Sequence, residues 1–487
     1  MKKIQEVYQR QEYPVRVLQI GEGNFLRAFV DYGIDLANEK RGFNGSVAVV
    51  MPRAKTNTRF AAQDNIYSVC VRGKKAGKTY KENRVISCLD RVVSAYSDYK
   101  EFLQLAELPS LEFVISNTTE AGIVYNDDDA YEDKPPQSYP AKLTKFLFTR
   151  FEHFSGAKEK GLVMLPVELI DHNGQMLKKC VKAYAKKWML GDAFAAWLDE
   201  ACLFVDTLVD RIVTGYPRND AAKYEQELGY EDALLDQCEP FAFWAIGDPS
   251  LEKRFPIATE DFPIVFTKDV DAYKRRKVRI LNGAHTSMAL GAYLAGFDYV
   301  GECMKDADIR RQLEQLVYQE IVPAFHKEDD SLRDFAASVF ERFENPFVNH
   351  SLLAISLNSI AKWRARVLPS LMDYEQNTKV LPKWLTFSLA ALLAFYHTVE
   401  KGDGCLIGYR GGKPYEIHDD AEKLDRVASW AALPDEVYVR KFLQADDFWG
   451  IDLRTIPGFY DAVLHHYELL QLMGIKSYIK KLGEYMA

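Results

Sequence analysis

Three polar residues, Lys277, Asn282 and His285, stand close together in the segment KVRILNGAHT, which is otherwise rich in apolar or small residues. At about 100° per residue around an α-helix, Asn282 lies roughly 140° and His285 roughly 80° from Lys277. All three side chains can therefore face one cavity. Taken singly, each also has a structural explanation: a solvated lysine, an Asn-Gly turn, and a buried histidine with its hydrogen bonds satisfied.

A glycine turn in VRVLQIGEGNFL is the second candidate site. Gly21 and Gly23 occupy the first two positions of a GxGxxG pattern, and Leu26 stands at the third. The turn follows an apolar strand and opens a helix, which is where a dinucleotide pyrophosphate binds. The alternative is a plain structural turn. The residues expected at the cofactor are Gln19, Ile20, Gly21, Glu22, Gly23, Asn24, Phe25 and Leu26.

The end of the next strand leaves the type of nicotinamide cofactor open. An acidic residue is expected there for the adenosine ribose, but the chain has Met51, Pro52 and Arg53. Arg53 or Lys55 could accept a 2′-phosphate, so local chemistry allows NAD or NADP. Asn117 and Thr118 end a further strand, where a nicotinamide would lie at the carboxyl edge of the sheet.

The order of apolar runs predicts two domains. Strand-like and helical stretches alternate through the first half, which indicates an α/β Rossmann-type domain over residues 1–268. From there on, helical periodicity dominates and predicts an all-α domain over residues 269–487. The segment CLIGYRGGKPYEIHDD, residues 405–420, is interpreted as a loop.

Composition narrows the class of partner. The formal net charge of −8 argues against a nucleic acid or an anionic membrane surface, so small molecules are the expected partners. The run WLTFSLAALLAFY, residues 384–396, suits a buried helix better than a membrane span. With no apolar stretch after its first lysines, the chain is expected in the cytoplasm. Its seven cysteines lack CxxC spacing, its histidines lack ligand spacing, and no metal is expected.

Longer motifs identify a family. The chain resembles the long-chain mannitol dehydrogenase family, which also contains hexuronate reductases, through GEGNFLRAFVD, SNTTEAGI, ELID, LVDRIVTGYPR and the K-x4-N-x2-H pattern of KVRILNGAH. The resemblance spans nearly the whole chain and implies a Rossmann-type domain, a helical domain, an active site between them and zinc-independent chemistry. In the family pattern, Lys277 is the general acid/base, Asn282 stabilises the oxyanion and His285 positions the substrate oxygen.

The reaction implied by this resemblance is the reversible reduction of tagaturonate to altronate with NADH. Fructuronate reduction and a mannitol-type polyol dehydrogenation are the alternatives within the family. A nucleotide sensor that lost its chemistry is the alternative from another class. The intact set of Lys277, Asn282 and His285 argues against that sensor, which would not need all three.

Two features concern the substrate directly. Mannitol dehydrogenases carry a second oxyanion-hole asparagine upstream of an H-N-G segment, but this chain has Leu169 there and Glu168 beside it, so Glu168 is expected to bind substrate or tune Lys277. A uronate also requires a positively charged side chain, held in place, to bind its carboxylate. The segment NSIAKWRARVLP contains Lys362, Arg364 and Arg366, with His350 upstream. Arg364 is the residue predicted to bind substrate.

Overall fold

The computed structural model describes residues 1–54, 57–119, 121–325 and 330–484. The chain forms two compact units, Met1–Tyr273 and Lys274–Ala487. The division falls inside one helix, Val270–Arg276, which leads directly into the KVRILNGAHT segment.

The first unit is built on a parallel six-stranded sheet. Its strands run in the spatial order β3-β2-β1-β4-β5-β6, and every neighbouring pair is parallel. This is the order of a doubly wound dinucleotide-binding sheet, so the Rossmann-type prediction is confirmed. The strands are Val15–Ile20 (β1), Ser46–Met51 (β2), Leu89–Ser94 (β3), Phe113–Ser116 (β4), Val163–Pro166 (β5) and Leu203–Phe204 (β6).

Both faces of this sheet are buried. Successive strand residues point to opposite sides, so each strand contributes to two hydrophobic clusters. Val17 and Val49 belong to one hydrophobic cluster, whereas Leu18 and Val50 belong to another. Helices cover the sheet, and the sequence alternates strand and helix for that reason. The α-helices of the unit are Asn24–Leu26, Tyr32–Arg41, Arg59–Ala62, Tyr99–Gln104, Tyr139–His153, Asn173–Lys187, Asp192–Glu200 and Ala221–Leu228.

Smaller sheets complete the first unit. They pair Lys2–Lys3 with Tyr230–Glu231, join Asp236–Cys238 to the hairpin of Tyr67–Lys75 and Lys78–Ile86, and place Phe243–Ile246 between Thr207–Asp210 and Ile264–Phe266. Short 3-10 turns lie at Ile4–Glu6, Leu105–Glu107, Lys158–Lys160 and Pro249–Glu252.

The second unit is helical around a central buried helix, Lys383–Tyr396, whose residues from Trp384 to Leu393 are all buried. The prediction of a buried core helix for this apolar segment is confirmed. Among the described residues, no helix is both long and apolar enough to cross a bilayer. The other α-helices are Gly283–Leu294, Val300–Cys303, Ala307–Gln315, Asp330–Phe343, Leu352–Ser356, Ser359–Arg366, Leu368–Thr378, Ala421–Ala431, Asp435–Gln444, Asp446–Trp449, Phe459–Met473 and Ile475–Glu484, with a 3-10 turn at Leu453–Thr455.

One hairpin departs from the all-α prediction. Residues Leu406–Arg410 and Lys413–Ile417, inside the predicted loop, pair as antiparallel strands. Gly411 and Gly412 connect them with φ values of 56° and 78°. Two consecutive positive φ values are typical of a type I′ hairpin turn, which the Gly-Gly pair permits without strain.

Candidate active site

The glycine turn after β1 is shaped by a close approach at Gly21. Its φ of 121° is strained for any residue with a side chain. A Cβ atom there would lie 2.8 Å from Leu26 Cδ1 and 3.0 Å from the Asn117 carbonyl oxygen. Gly21 is therefore required by the protein's own packing. Leu26, which replaces the third glycine of the pattern, fills the space against it.

Gly23 has a different reason to be glycine. Nothing lies within 4 Å of the position that its Cβ would occupy, and its φ of −68° suits any residue. Gly23 is the N-cap of the helix that begins at Asn24, and both residues are exposed. The fold leaves open space over this helix start, where backbone N–H groups have no intrahelical partner. The open space fits a bound pyrophosphate, and a side chain at Gly23 would fill it.

The remaining residues of the turn are mostly structural. The fully buried Gln19 amide donates to the Gly21 carbonyl at 3.2 Å and to Asp31 Oδ2 at 3.4 Å, so it braces the turn from below. Ile20 is buried in the sheet core and Glu22 is half-buried. Phe25 stacks on a core phenylalanine rather than standing free.

The first cation after β2, Arg53, is accessible to solvent, as a cofactor-binding residue must be. Arg53 is exposed two residues beyond Met51, and Lys55 lies outside the described residues. Arg53 makes no ion pair with a described residue. The residues after β2 therefore allow NAD or NADP, as the sequence already indicated.

Glu168 joins the carboxyl ends of β4 and β5. Its carboxylate accepts hydrogen bonds from the Ser116 hydroxyl at 3.1 Å and from the Thr118 amide and hydroxyl at 2.9 Å each. Burial raises the pKa of this carboxyl to about 7, although these hydrogen bonds oppose the shift. The Asn117 amide donates to the Val167 carbonyl at 3.4 Å. Glu168 is therefore held inside the first unit as a connector of two strand ends.

The position expected for a second oxyanion asparagine is open but apolar. Leu169 is 59% exposed. The asparagine that follows it, Asn173, is buried, and its amide donates to the carbonyls of Pro166, Glu168 and Thr207. Asn173 is therefore committed to holding the backbone together.

In the second unit, the segment that opens the site is a π-helix rather than an α-helix. The π segment spans Lys277–Asn282, and an α-helix continues from Gly283. Because π hydrogen bonds join residues five apart, residues 277 and 282 lie one above the other along the helix. Lys277 and Asn282 thus share a face more closely than the α-helical geometry predicts, and both are half-buried.

His285 lies at the centre of an aromatic and basic cluster. Its ring stacks on Phe343 with centroids 4.0 Å apart and meets the His350 ring edge-on at 4.9 Å. The side chain is 7% exposed, and its Nε2 atom is buried without a hydrogen-bond partner among the described residues. Burial is the main cause that holds its pKa well below the usual value, and nearby His350, Arg342 and Arg366 lower the pKa further by electrostatic interaction. His285 is therefore neutral at pH 7, and its Nε2 atom makes no hydrogen bond with a described residue.

Two of the three cations in NSIAKWRARVLP face this cluster. Lys362 and Arg366 lie one turn apart on the helix Ser359–Arg366, and both are half-buried. Arg364, the predicted substrate residue, is exposed instead; its guanidinium donates to the Asp447 carbonyl at 3.4 Å. The structure thus groups Arg366, not Arg364, with His285.

Sequence reasoning missed Arg342 and Phe343. Both end the helix Asp330–Phe343, far along the chain from His285. Neither residue type nor spacing connects them to the motif. Only the fold brings the phenylalanine ring against the imidazole.

One further cluster has the composition of a metal site. Ligand atoms of Cys405, Glu416 and His418, in and beside the hairpin, lie within 4.8 Å of one another. The Glu416 carboxylate and the His418 ring are already hydrogen-bonded at 2.8 Å. That pairing accounts for the two exposed members, and the absence of a metal stays a prediction.

Comparison with known proteins agrees with this layout. The family model described as the Mannitol dehydrogenase Rossmann domain matches residues 15–259, and that described as the Mannitol dehydrogenase C-terminal domain matches residues 269–471. A protein named Altronate oxidoreductase from Escherichia coli O1:K1 / APEC is 43% identical over 480 residues, which cover 97% of each chain. The protein of the same name from Escherichia coli (strain SMS-3-5 / SECEC) gives the same identity and coverage.

Two solved structures share the fold across almost the whole chain. A D-sorbitol dehydrogenase in substrate-free form superposes with a TM-score of 0.78 at 20% identity, covering 98% of this chain and 100% of that one. The mannitol 2-dehydrogenase of Pseudomonas fluorescens, in a complex with NAD and D-mannitol, gives a TM-score of 0.65 at 22% identity, with coverages of 97% and 95%. Family models match both units and relatives match 97% of the chain, so the chain belongs to the mannitol dehydrogenase family.

Proposed function

We propose that this protein is an NAD-dependent reductase that converts D-tagaturonate to D-altronate, reversibly, in hexuronate breakdown. The observation that carries the proposal is the 43% identity, over 97% of both chains, to proteins named Altronate oxidoreductase. The Lys277, Asn282 and His285 set supports it, because the chemistry of that reaction requires a proton donor and oxyanion donors.

The first unit supplies the cofactor side. Gly21 fixes the turn, and the open space over Gly23 admits a pyrophosphate at the start of a helix. We assign Gln19, Ile20, Gly21, Glu22, Gly23, Asn24, Phe25 and Leu26 to this turn, with Asn117 and Thr118 at the end of β4 on the nicotinamide side. When bound, the reduced nicotinamide supplies the hydride that adds to the substrate's carbonyl carbon.

The second unit supplies the proton and the polar contacts. As hydride reaches carbon, negative charge grows on the carbonyl oxygen, and the Lys277 ammonium gives that oxygen its proton. The Asn282 amide makes no hydrogen bond with a described residue, so its N–H groups remain for the same oxygen. In the reverse direction, the neutral Lys277 amine takes the proton from the carbinol.

His285 is suited to a substrate hydroxyl. A neutral imidazole can accept through one nitrogen and donate through the other. Its unpartnered Nε2 is costly to bury, and a hydroxyl hydrogen-bonded to it would remove that cost. The stacked Phe343 ring fixes the plane in which this hydrogen bond forms.

The environment of Glu168 changes the role proposed for it. Because three donors from Ser116 and Thr118 already hold its carboxylate, we assign Glu168 to positioning the ends of β4 and β5 rather than to direct substrate contact. Leu169 offers no hydrogen bond to an oxyanion. Asn282 therefore serves as the side-chain amide of the oxyanion site.

The functional division proposed for the chain is a dinucleotide-binding domain over residues 1–268 and a substrate and catalytic domain over residues 269–487. The proposed partner is a ketohexuronate or aldonate, with no part for nucleic acid or a membrane. A metabolic conversion of this kind takes place in the cytoplasm, which is the location we assign.

A substrate panel tests the proposal. The purified protein is assayed with tagaturonate, fructuronate and fructose, each with NADH and with NADPH, by following absorbance at the nicotinamide band. We expect the highest kcat/KM with tagaturonate and NADH. A higher value with fructuronate would make the protein a mannonate-forming reductase, and a higher value with fructose would make it a polyol dehydrogenase. No oxidation of NADH with any of the three would contradict an enzymatic role in this family of reactions.

A further inference from the structure

We propose that Arg366 is the residue that recognises the substrate's carboxylate and thereby selects sugar acids over neutral ketoses. This inference rests on the proposed function and adds a specificity-determining residue to it.

The position of Arg366 is fixed against the catalytic motif. Its carbonyl oxygen would lie 3.1 Å from a Cβ at Gly283, so the glycine lets the end of this helix pack closely on the π segment. Its guanidinium Nη1 lies 3.5 Å from the hydroxyl of Thr286, the residue after His285. Arg366 is thus attached to KVRILNGAHT at two points, one backbone and one side chain.

The charge of Arg366 is not compensated by the part of the chain that the structure describes. No described carboxylate lies within the 4.0 Å that defines an ion pair. Burial lowers the pKa of the guanidinium, and no neighbouring acid opposes that effect. A half-buried cation without a counter-charge carries a desolvation cost that an anionic ligand would offset.

A second cation, Lys362, lies near Arg366. Lys362 donates to the Ile355 carbonyl at 2.9 Å, and Arg366 contributes to lowering its pKa, after burial. The acid Asp419 accepts hydrogen bonds from the Tyr396 hydroxyl at 2.7 Å and from the Ile360 amide, and its charge acts on Lys362 rather than on Arg366. Arg366 therefore carries a positive charge that no described acid offsets, and that charge attracts an anion.

A carboxylate fits this charge better than a hydroxyl does. A planar guanidinium can donate two parallel hydrogen bonds to the two oxygens of a carboxylate. Arg366 lies close enough to His285 to contribute to lowering its pKa, so a substrate hydroxyl at His285 leaves the acid end of the sugar near Arg366. A neutral ketose presents a CH2OH group there and gains no ion pair.

The experiment compares a uronate with its neutral analogue. We measure kcat/KM for tagaturonate and for tagatose, which has CH2OH in place of the carboxylate, in the wild type and in Arg366→Gln. We expect kcat/KM for tagaturonate to fall about 100-fold, mostly through KM, and that for tagatose to change less than about threefold. If tagatose reacts too slowly, inhibition constants of altronate and of the neutral altritol replace these values.

Two further variants keep the test decisive. Arg366→Lys retains the charge but loses the two-pronged geometry, so we expect it to lose about tenfold in the same ratio and to serve if Arg366→Gln does not fold. Arg364→Gln removes a cation from the exposed face of the same helix. We expect its uronate-to-ketose ratio to match that of the wild type.

The outcomes separate the two proposals. A wild type that reduces fructuronate but not tagaturonate contradicts the proposed substrate, while Arg366 is then tested with fructuronate and fructose. A folded Arg366→Gln variant that keeps the wild-type ratio overturns the assignment of Arg366. A loss of the ratio in Arg364→Gln instead would assign the carboxylate to Arg364.

Discussion

Glu168 in the first unit and His285 in the second are both buried, and both have pKa values moved toward the neutral form. Their hydrogen bonds differ. Glu168 is surrounded by donors from Ser116 and Thr118, whereas His285 leaves Nε2 without a partner. Burial and a shifted pKa therefore do not by themselves mark a reacting group. What distinguishes His285 from Glu168 is a buried nitrogen, Nε2, that makes no hydrogen bond with a described residue.

The same contrast separates the two regions around them. At the carboxyl ends of β4 and β5, side chains bind backbone groups and hold strands in register. In and beside the π segment Lys277–Asn282, the Asn282 amide makes no hydrogen bond with a described residue, and the His285 Nε2 atom is buried without one. We expect substitutions in the first region to change stability, and substitutions in the second to change turnover.

Lys277→Ala should give the largest effect. Loss of the general acid should lower kcat/KM for tagaturonate by about 10³- to 10⁴-fold, because such groups contribute up to that order. NADH binding, measured by the quenching of protein fluorescence, should persist because the glycine turn lies in the other unit. A variant with turnover equal to the wild type would remove Lys277 from the mechanism.

Asn282→Ala should follow. Removing an oxyanion donor typically costs about 10²- to 10³-fold in kcat, and we expect that loss with little change in the midpoint of thermal unfolding. Asn377→Ala, on an exposed position of the helix Leu368–Thr378, is the matched control and should behave as the wild type. A loss of stability in Asn282→Ala that accounts for the lost activity would assign the amide a structural role.

His285→Phe should separate stability from activity. A phenyl ring preserves the stack on Phe343 and removes the unpartnered Nε2, so the free energy of unfolding should rise by about 1 kcal/mol. Turnover should fall by about 10- to 100-fold because the substrate hydroxyl loses its partner. Urea unfolding and steady-state kinetics on the same sample check both signs. A destabilised and fully active variant would show that His285 has a structural role and does not bind substrate.

Glu168→Gln should give the smallest change in catalysis and a distinct dependence of stability on pH. The pKa of Glu168, raised to about 7 in the folded state, exceeds its unfolded value. The folded state therefore retains a proton that the unfolded state has lost between about pH 4.5 and pH 7, and the contribution of this group to stability declines as pH rises through that window.

Glutamine mimics the protonated form and removes this decline. The stability of Glu168→Gln relative to the wild type should accordingly grow by about 1–3 kcal/mol from pH 5 to pH 8, as measured by urea unfolding. A difference that stays constant over this range would mean that Glu168 is ionised throughout.

Much of the fold followed from the sequence because strands and helices repeat their apolar residues with different periods. The alternation of Val17 and Leu18 between two cores is of this kind. The hairpin at residues 406–417 was predicted as a loop, although its Gly411-Gly412 pair is a hairpin signal. Its polar, glycine-rich composition concealed the short strands.

The site was harder to predict because side-chain direction depends on the helix type and on distant residues. A regular α-helix was the basis for placing Asn282 roughly 140° from Lys277, and no sequence rule announces a π segment. Likewise, Arg364 and Arg366 are chemically equal in the sequence. Only the packing of their helix on Gly283 distinguishes the exposed arginine from the one near His285.

A π segment contains, in effect, one residue more than an α-helix of the same length needs. Deleting one residue between Val278 and Leu281 would therefore return Lys277–Asn282 to regular α-helical hydrogen bonding. After that deletion the lysine and the asparagine would be four residues apart, a spacing that keeps two side chains on one face of an α-helix. The π segment therefore does for a five-residue spacing what an α-helix does for a four-residue one. The extra residue lengthens the chain between the two polar side chains while they keep a common face.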